Sequence, residues 1–216
     1  MSRTLSEYDS KNLLVEYAIS TVPEALAADP GSAAERAAQI GFPVALKLCG
    51  AAIAHKTERD LVRLGLADAE AVRAAGAELL ARKRPEDRDA QLLVQAMVHG
   101  RREIIVGLVR DAQFGPCVML GMGGILAEAM RDVVFRMAPL TMQDAREMAA
   151  DIKAAHLLDA FRGEPAVDRE ALAAILVAVG RIGIERADVV ALDINPLIVA
   201  GATPIAVDAL VEIAEA

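Results

Sequence analysis

The chain has 216 residues, enough for one large domain or two small lobes with a sizeable core. Its hydrophobic fraction is 55% with only 3% aromatic residues, so the interior is built of Ala, Val, Leu and Ile. A formal charge of −8, with no basic stripe interleaved with aromatics, argues against nucleic acid as a partner. It does not exclude a phosphorylated small molecule, because lysines, amides and a divalent cation can meet phosphates locally. The N-terminal run MSRTLSEYDSKNLL lacks an apolar secretory core, and the longest apolar run, Ala171 to Gly180, stops at Arg181 after about half a membrane span. Neither export nor membrane insertion is expected. Cys49 and Cys117 have no metal-ligand spacing and read as free thiols in a reducing cytosol.

In chain order, the spacing of Leu13, Leu14 and Tyr17 predicts an amphipathic helix over about Ser6 to Ile19. Ser32 and Glu35 match a capping box for a second helix, with Gly41 as its stop. Pro43 leads into a strand, Val44 to Cys49, then a loop from Gly50 to Asp60 and a short strand near Leu61 to Leu66. Asp68 caps a helix to Arg84, and Arg82 to Asp89 reads as a solvated charged loop. Gln91 to Val98 and Glu103 to Val109 are expected strands joined by a polar turn at His99, Gly100 and Arg101. Cys117 to Leu120 is a further strand ending in Gly121, Met122, Gly123 and Gly124. A short helix over Ile125 to Met130 and a strand over Val133 to Met137 follow. Thr141 caps a helix to about Lys153, and Asp168 caps an apolar one to about Ile182. Helices and strands mix without a regular βαβ repeat, which predicts an α+β fold with two lobes.

The closing stretch, DVVALDINPLIVAGATPIAVD, carries the clearest chemistry. Two β-rich runs flank the turn cluster Gly201, Ala202, Thr203 and Pro204, which predicts a hairpin. Side-chain alternation puts Asp193 and Asn195 on one face, and Pro196, lacking an amide donor, is expected to end the regular pairing. On the returning run Asp208 shares a face with Ala206, so Asn195 and Asp208 can meet across the hairpin as two oxygen ligands. Mg²⁺ asks for little more, because water and phosphate complete its octahedron. The alternative is a hairpin whose Asx side chains bond their own backbone.

Other residues admit two readings each. Lys47 interrupts an apolar strand and either reaches solvent, the commoner case, or points at an anion. His55 and Lys56 form a poor metal site, since the lysine opposes a cation, but a reasonable phosphate site. The run Gln95 to Val98 followed by Glu103 reads as a crossover between lobes, where backbone can pair with a heterocycle edge and Glu103 can accept ribose hydroxyls, or as an ordinary hairpin. The glycines around Gly123 lack the Gly-Lys-Ser/Thr of a Walker loop, so a structural turn is the default. Glu128, Asp132 and Arg136 are spaced for a salt-bridged face or a cleft wall.

Taken in order, PVALK, HKT, LLVQAM, EIIVGLVRDAQFGP, MLGMGGILAE, FRMAPL, LLDAFRG and LDINPL…VD resemble the ATP-grasp β subunit of NDP-forming acyl-CoA synthetases, over about Lys11 to Ile213. The ADP-forming acetate–CoA ligases are the nearer relatives and succinyl-CoA synthetase the more distant. The resemblance implies an ATP-grasp fold with nucleotide held between two α+β lobes, expected at residues 7–94 and 95–216. It implies Lys47 on the nucleotide phosphates, Gln95 and Val98 at the adenine side, Glu103 on the nucleotide, and Asn195 and Asp208 on Mg²⁺. His55 matches a position thought to carry a phosphoryl group transiently. The implied activity is that of an acid–thiol ligase, in which carboxylic acid, CoA and ATP give acyl-CoA, ADP and phosphate. ATP, ADP and Mg²⁺ are the expected ligands, and a CoA-binding α subunit the expected partner in a cytoplasmic hetero-oligomer. One departure stands out. Asp60 and Leu61 occupy positions where relatives often have two glycines, so a differently shaped loop or weakened nucleotide binding is expected there. A catalytically decayed nucleotide-binding subunit, or an ATP-grasp ligase for another nucleophile, are the alternatives.

Overall fold

The structure, a computed structural model, describes residues 2–53, 56, 58–124 and 132–215. The expected helix over Ile125 to Met130, and the residues His55 and Glu128, lie outside the described residues. The chain divides into two compact units, one of Met1–Arg3, Lys11–Thr21 and His99–Ala216, the other of Thr4–Ser10 and Val22–Val98. The lobes expected at 7–94 and 95–216 differ from these units in the division after Val98 and in the N-terminal segment, which the two units share.

The smaller unit is a four-stranded antiparallel sheet in the order β2-β5-β3-β4, with β2 at Glu24–Ala27, β3 at Val44–Cys49, β4 at Val62–Leu66 and β5 at Gln91–Ala96. Helices α2 (Pro30–Ile40) and α3 (Ala69–Ala81) pack on one face, burying Leu46, Leu48, Leu92 and Val94 against Ala33, Ala37, Val72 and Leu79. Alternation along β3 therefore turns Ala45 and Lys47 to the opposite face, where the register places Ala45 beside Gln95. Asp68 caps α3 as expected, accepting from the Ala71 amide at 2.8 Å. Helix α2 starts three residues earlier than expected: Asp29 is the cap and Ser32 closes the box at its third position, because Pro30 already suits the first turn. The Arg82 to Asp89 segment is more than solvated surface. Asp87 there is buried, accepting from the Arg84 amide at 2.9 Å and from the Arg59 guanidinium.

The larger unit is a seven-stranded sheet in the order β1-β11-β9-β6-β7-β8, with β10 also pairing β9. These strands are β1 Ser2–Thr4, β6 Glu103–Asp111, β7 Gly115–Met122, β8 Val133–Met137, β9 Val189–Ala200, β10 Thr203–Ala206 and β11 Ala209–Ala214. Helices α4 (Met142–Asp151) and α5 (Arg169–Glu185) cover one face. Gly183 lets α5 settle closely on that face, since a Cβ there would lie 2.8 Å from Leu108 and 2.9 Å from Pro116. The remaining helix, α1 (Glu7–Glu16), contributes residues to both units.

Candidate functional site

In the larger unit, the closing hairpin falls within the expected stretch, as β9 and β10. Pro196 does not end β9, which runs on to Ala200, and its pairing with β6 resumes at Leu197 opposite Ile104. Ala206 faces Leu197 and Ala209 faces Ile194, so one register carried through the gap sets Asp208 opposite Asn195. Two hydrogen bonds hold it there. The Asn195 amide donates to the Asp208 carbonyl at 3.1 Å, and the Val207 amide to the Pro196 carbonyl at 3.1 Å.

Asp193 joins this pair, a contribution that its placement on the same face as Asn195 foreshadowed. Burial pushes its carboxyl above the ordinary carboxylate range, a hydrogen bond from the Asn195 side chain opposes the shift, and the nearby Asp208 charge adds to it. Two carboxylates and an amide oxygen are hard donors, which suits Mg²⁺ with water and phosphate filling the other positions. Among the described residues no group of three or more His, Cys, Asp or Glu is placed to hold a metal.

Glu103 opens β6 and lines a groove of about 640 Å³ with Met122, Gly123, Leu157, Phe161 and Arg162. Gly123 is required by close approach: its amide donates to the Glu103 carbonyl at 2.7 Å, and a Cβ would meet the Glu103 backbone at 3.1 Å. Arg162 sits at a φ of +48°, unusual for a side-chain-bearing residue, with its guanidinium 5.2 Å from the centroid of the Phe161 ring. The buried Arg102 anchors this loop through the carbonyls of Leu157, Asp159 and Pro165. Only the FRG of LLDAFRG hinted at such a loop in the sequence. Asp132 and Arg136 serve structure: Asp132 accepts from the Lys153 and Ala154 amides at 2.8 Å, and Arg136 pairs with Asp151.

In the smaller unit, Lys47 is buried rather than at a solvated face. Its ammonium lies 2.6 Å from Glu7 Oε1, and Lys56 reaches the other oxygen, Oε2, at 2.9 Å. Gln95 is also buried, on the same face of the sheet, and Val98 follows in the segment beyond β5. Glu7 was not foreseen as a site residue, and no local pattern marks it; the contact joins positions 40 apart. The Asp60 carboxylate is held by Arg82 and Arg63, which depress its pKa in that order of effect.

An ATP-grasp domain model matches residues 1–213. The β subunit of the ADP-forming acetate–CoA ligase I of Pyrococcus furiosus is 38% identical over 96% of this chain and 91% of its own length. The ADP-forming acetate–CoA ligase I of Archaeoglobus fulgidus is 37% identical over 86% of this chain, which spans only 27% of that longer protein. Among solved structures, the dinucleotide forming acetyl-coenzyme A synthetase 1 of Ca. Korarchaeum cryptofilum, in complex with coenzyme A and Ca-AMPCP, superposes with a TM-score of 0.92 at 37% identity, covering 98% of this chain and 94% of that one. The same protein with Mg-AMPPCP, its phosphohistidine segment pointing towards the nucleotide binding site, gives a TM-score of 0.84.

With the two sheet-and-helix units, these matches define the class: the chain belongs to the ATP-grasp family. Within that family it stands with the β subunits of ADP-forming acetate–CoA ligases.

Proposed function

We propose that this chain is the ATP-binding subunit of an ADP-forming acyl-CoA synthetase, which converts carboxylic acid, CoA and ATP into acyl-CoA, ADP and phosphate. The observation that carries the reading is the 38% identity along almost the whole of a relative that is itself a separate β subunit. The particular acid is set elsewhere, and the CoA-binding part is supplied by an α subunit in trans. The much greater length of the Archaeoglobus relative supports this division, since there the equivalent region is one part of a longer chain. Free thiols at Cys49 and Cys117 suit a cytoplasmic setting.

In this reading Lys47 neutralises and orients the nucleotide phosphates, Glu103 accepts ribose hydroxyls in its groove, and Gln95 and Val98 meet the adenine edge. Asn195 and Asp208 would hold Mg²⁺, with Asp193 hydrogen-bonded to Asn195 beside them. When bound there, the ion would supply positive charge to offset what builds up as the phosphoryl group transfers. The protein's part is positioning: groups fixed on strands lose little freedom when substrate arrives. His55, outside the described residues, is the proposed acceptor or relay of the phosphoryl group.

The test is to mix the purified chain with a CoA-binding α subunit and measure ADP release. Release that requires acid, CoA and both subunits is expected. No acid-dependent release from the folded mixture would overturn the reading. A chain that binds nucleotide but fails Mg²⁺-dependent ATP–ADP phosphate exchange would instead be a decayed, regulatory subunit.

A further inference from the structure

The turn that carries Arg162 is built against the preference of its own sequence. The Phe161 and Glu164 amides each donate to the other's carbonyl, at 3.1 and 3.0 Å, which closes a tight hairpin turn over Arg162 and Gly163. Both central residues have positive φ, +48° and +85°, as in the type I′ turn that Asn-Gly fills best. Glycine holds the second place without strain, but an arginine in the first gives up stability that asparagine or glycine would keep. Its side chain does not recover that loss in an ion pair: among the described residues Arg162 has no carboxylate partner, only the face of the neighbouring Phe161 ring. The loop is nonetheless held firmly. Arg102 grips carbonyls on both sides of the turn, Leu157 and Asp159 before it and Pro165 after it, from the position next to Glu103. Glu103 and Arg162 therefore line one groove from two anchored elements. The Glu103 carboxylate faces the Gly124 wall, where a Cβ would sit 3.9 Å from Oε2. Arg101 also lines the groove, but its guanidinium lies 3.9 Å from the Glu164 carboxylate. A carboxylate only accepts hydrogen bonds and a guanidinium only donates them. A vicinal diol needs both, since each hydroxyl gives one hydrogen and offers lone pairs. A sugar edge with Glu103 at its hydrogens still wants a donor at its oxygens.

We infer that Arg162 is a specificity-determining residue, donating to the hydroxyl oxygens of the nucleotide's ribose while Glu103 accepts their hydrogens. The inference rests on the nucleotide reading above and adds to it a residue that Glu103 alone does not require. It gives the arginine's unfavourable place on the turn a reason. It also gives the groove a means of rejecting a sugar that lacks one hydroxyl, because the guanidinium would then be left without its acceptor.

The experiment is calorimetric titration of the purified full chain with ADP and 2′-deoxy-ADP in the presence of Mg²⁺, for wild type, Arg162→Asn and Arg162→Lys, beside urea denaturation of each. The wild type should bind ADP about tenfold or more tighter than 2′-deoxy-ADP, the worth of a charge-assisted hydrogen bond. Arg162→Asn suits the turn, so its urea midpoint should lie at or above that of wild type. Its preference for ADP over 2′-deoxy-ADP should nevertheless narrow to about threefold or less, because the donor is gone. Arg162→Lys keeps a charged donor and should show an intermediate preference. A stability that holds or rises while sugar discrimination falls is a result that a merely structural arginine would not give. An unchanged preference in Arg162→Asn, a narrowed one accompanied by a lower urea midpoint, or a wild type that binds the two nucleotides equally would overturn the inference and leave the nucleotide reading standing. A folded wild type that binds neither would remove both.

Discussion

The Asp60 carboxylate accepts a hydrogen bond from the Arg63 guanidinium at 2.9 Å, on a residue whose φ of +53° lies in the left-handed region. Aspartate enters that region more readily than most residues, so the loop turns there without glycine. Arg82 holds the same carboxylate, and together the two arginines keep it ionised and locally matched. Leu61 differs in kind, being 1% exposed and part of the hydrophobic core of the smaller unit. Two predictions separate the pair. Asp60→Gly should leave ADP affinity within about twofold of wild type, because exposed ion pairs contribute little. Leu61→Gly should destabilise the chain by about 3 kcal/mol or more, read from urea denaturation, through the cavity and the added backbone freedom.

The register that sets Asn195 opposite Asp208 predicts that they act as a unit toward the divalent cation. Asn195→Ala and Asp208→Ala should each reduce the Mg²⁺-dependent part of nucleotide affinity by at least about tenfold, and the double variant by little more than the worse single. Calorimetry with and without Mg²⁺ measures this. Independent, additive losses would argue against a shared ion.

Asp87 carries a pH signature. The hydrogen-bonded Arg59 guanidinium first, opposed by burial and aided by the Arg84 amide, holds its carboxyl below the ordinary value. A depressed carboxylate contributes stability that is fully present above its unfolded-state pKa and is lost as pH falls through the folded-state value. Asp87→Asn should therefore cost about 2–3 kcal/mol near neutrality, with the gap from wild type narrowing below about pH 4. Denaturation midpoints at several pH values provide the comparison. A constant gap would show that the ion pair is not the source of the effect.

The Cys49 thiol lies beside Glu7 in the smaller unit, and burial above all pushes its pKa up. The reactive species is the thiolate, so a buried, protonated thiol resists alkylation. Iodoacetamide at neutral pH should label the half-buried Cys117 before Cys49, with Cys49 reacting at its ordinary rate only in denaturant. Mass spectrometry of the two peptides reads the order.

Local chemistry made much of the architecture legible. Helix starts at Asp68, Thr141 and Asp168 were readable because each cap is set within three residues, and in each the side-chain oxygen accepts a backbone amide. The meeting of Asn195 with Asp208 was readable for a similar reason, since a hairpin fixes its own register. Strand β2 was not, because EALA favours a helix and becomes a strand only by pairing with β5. Strand β11 was missed because the sequence reading closed the hairpin at Asp208, whereas β11 returns to pair with the first half of β9.

The sequence by itself determined the family, the α+β character, and the oxygen-donor pair on the closing hairpin, all of which depend on short-range periodicity or on motif order. Tertiary structure alone decided that Lys47 is buried, that Glu7 joins it to Lys56, that Arg63 and Arg82 match the charge of Asp60, and that Gly123 lies against Glu103. Each of these depends on groups brought together by sheet pairing or loop packing. The burial and charge that govern their chemistry are properties of neighbours that periodicity does not supply.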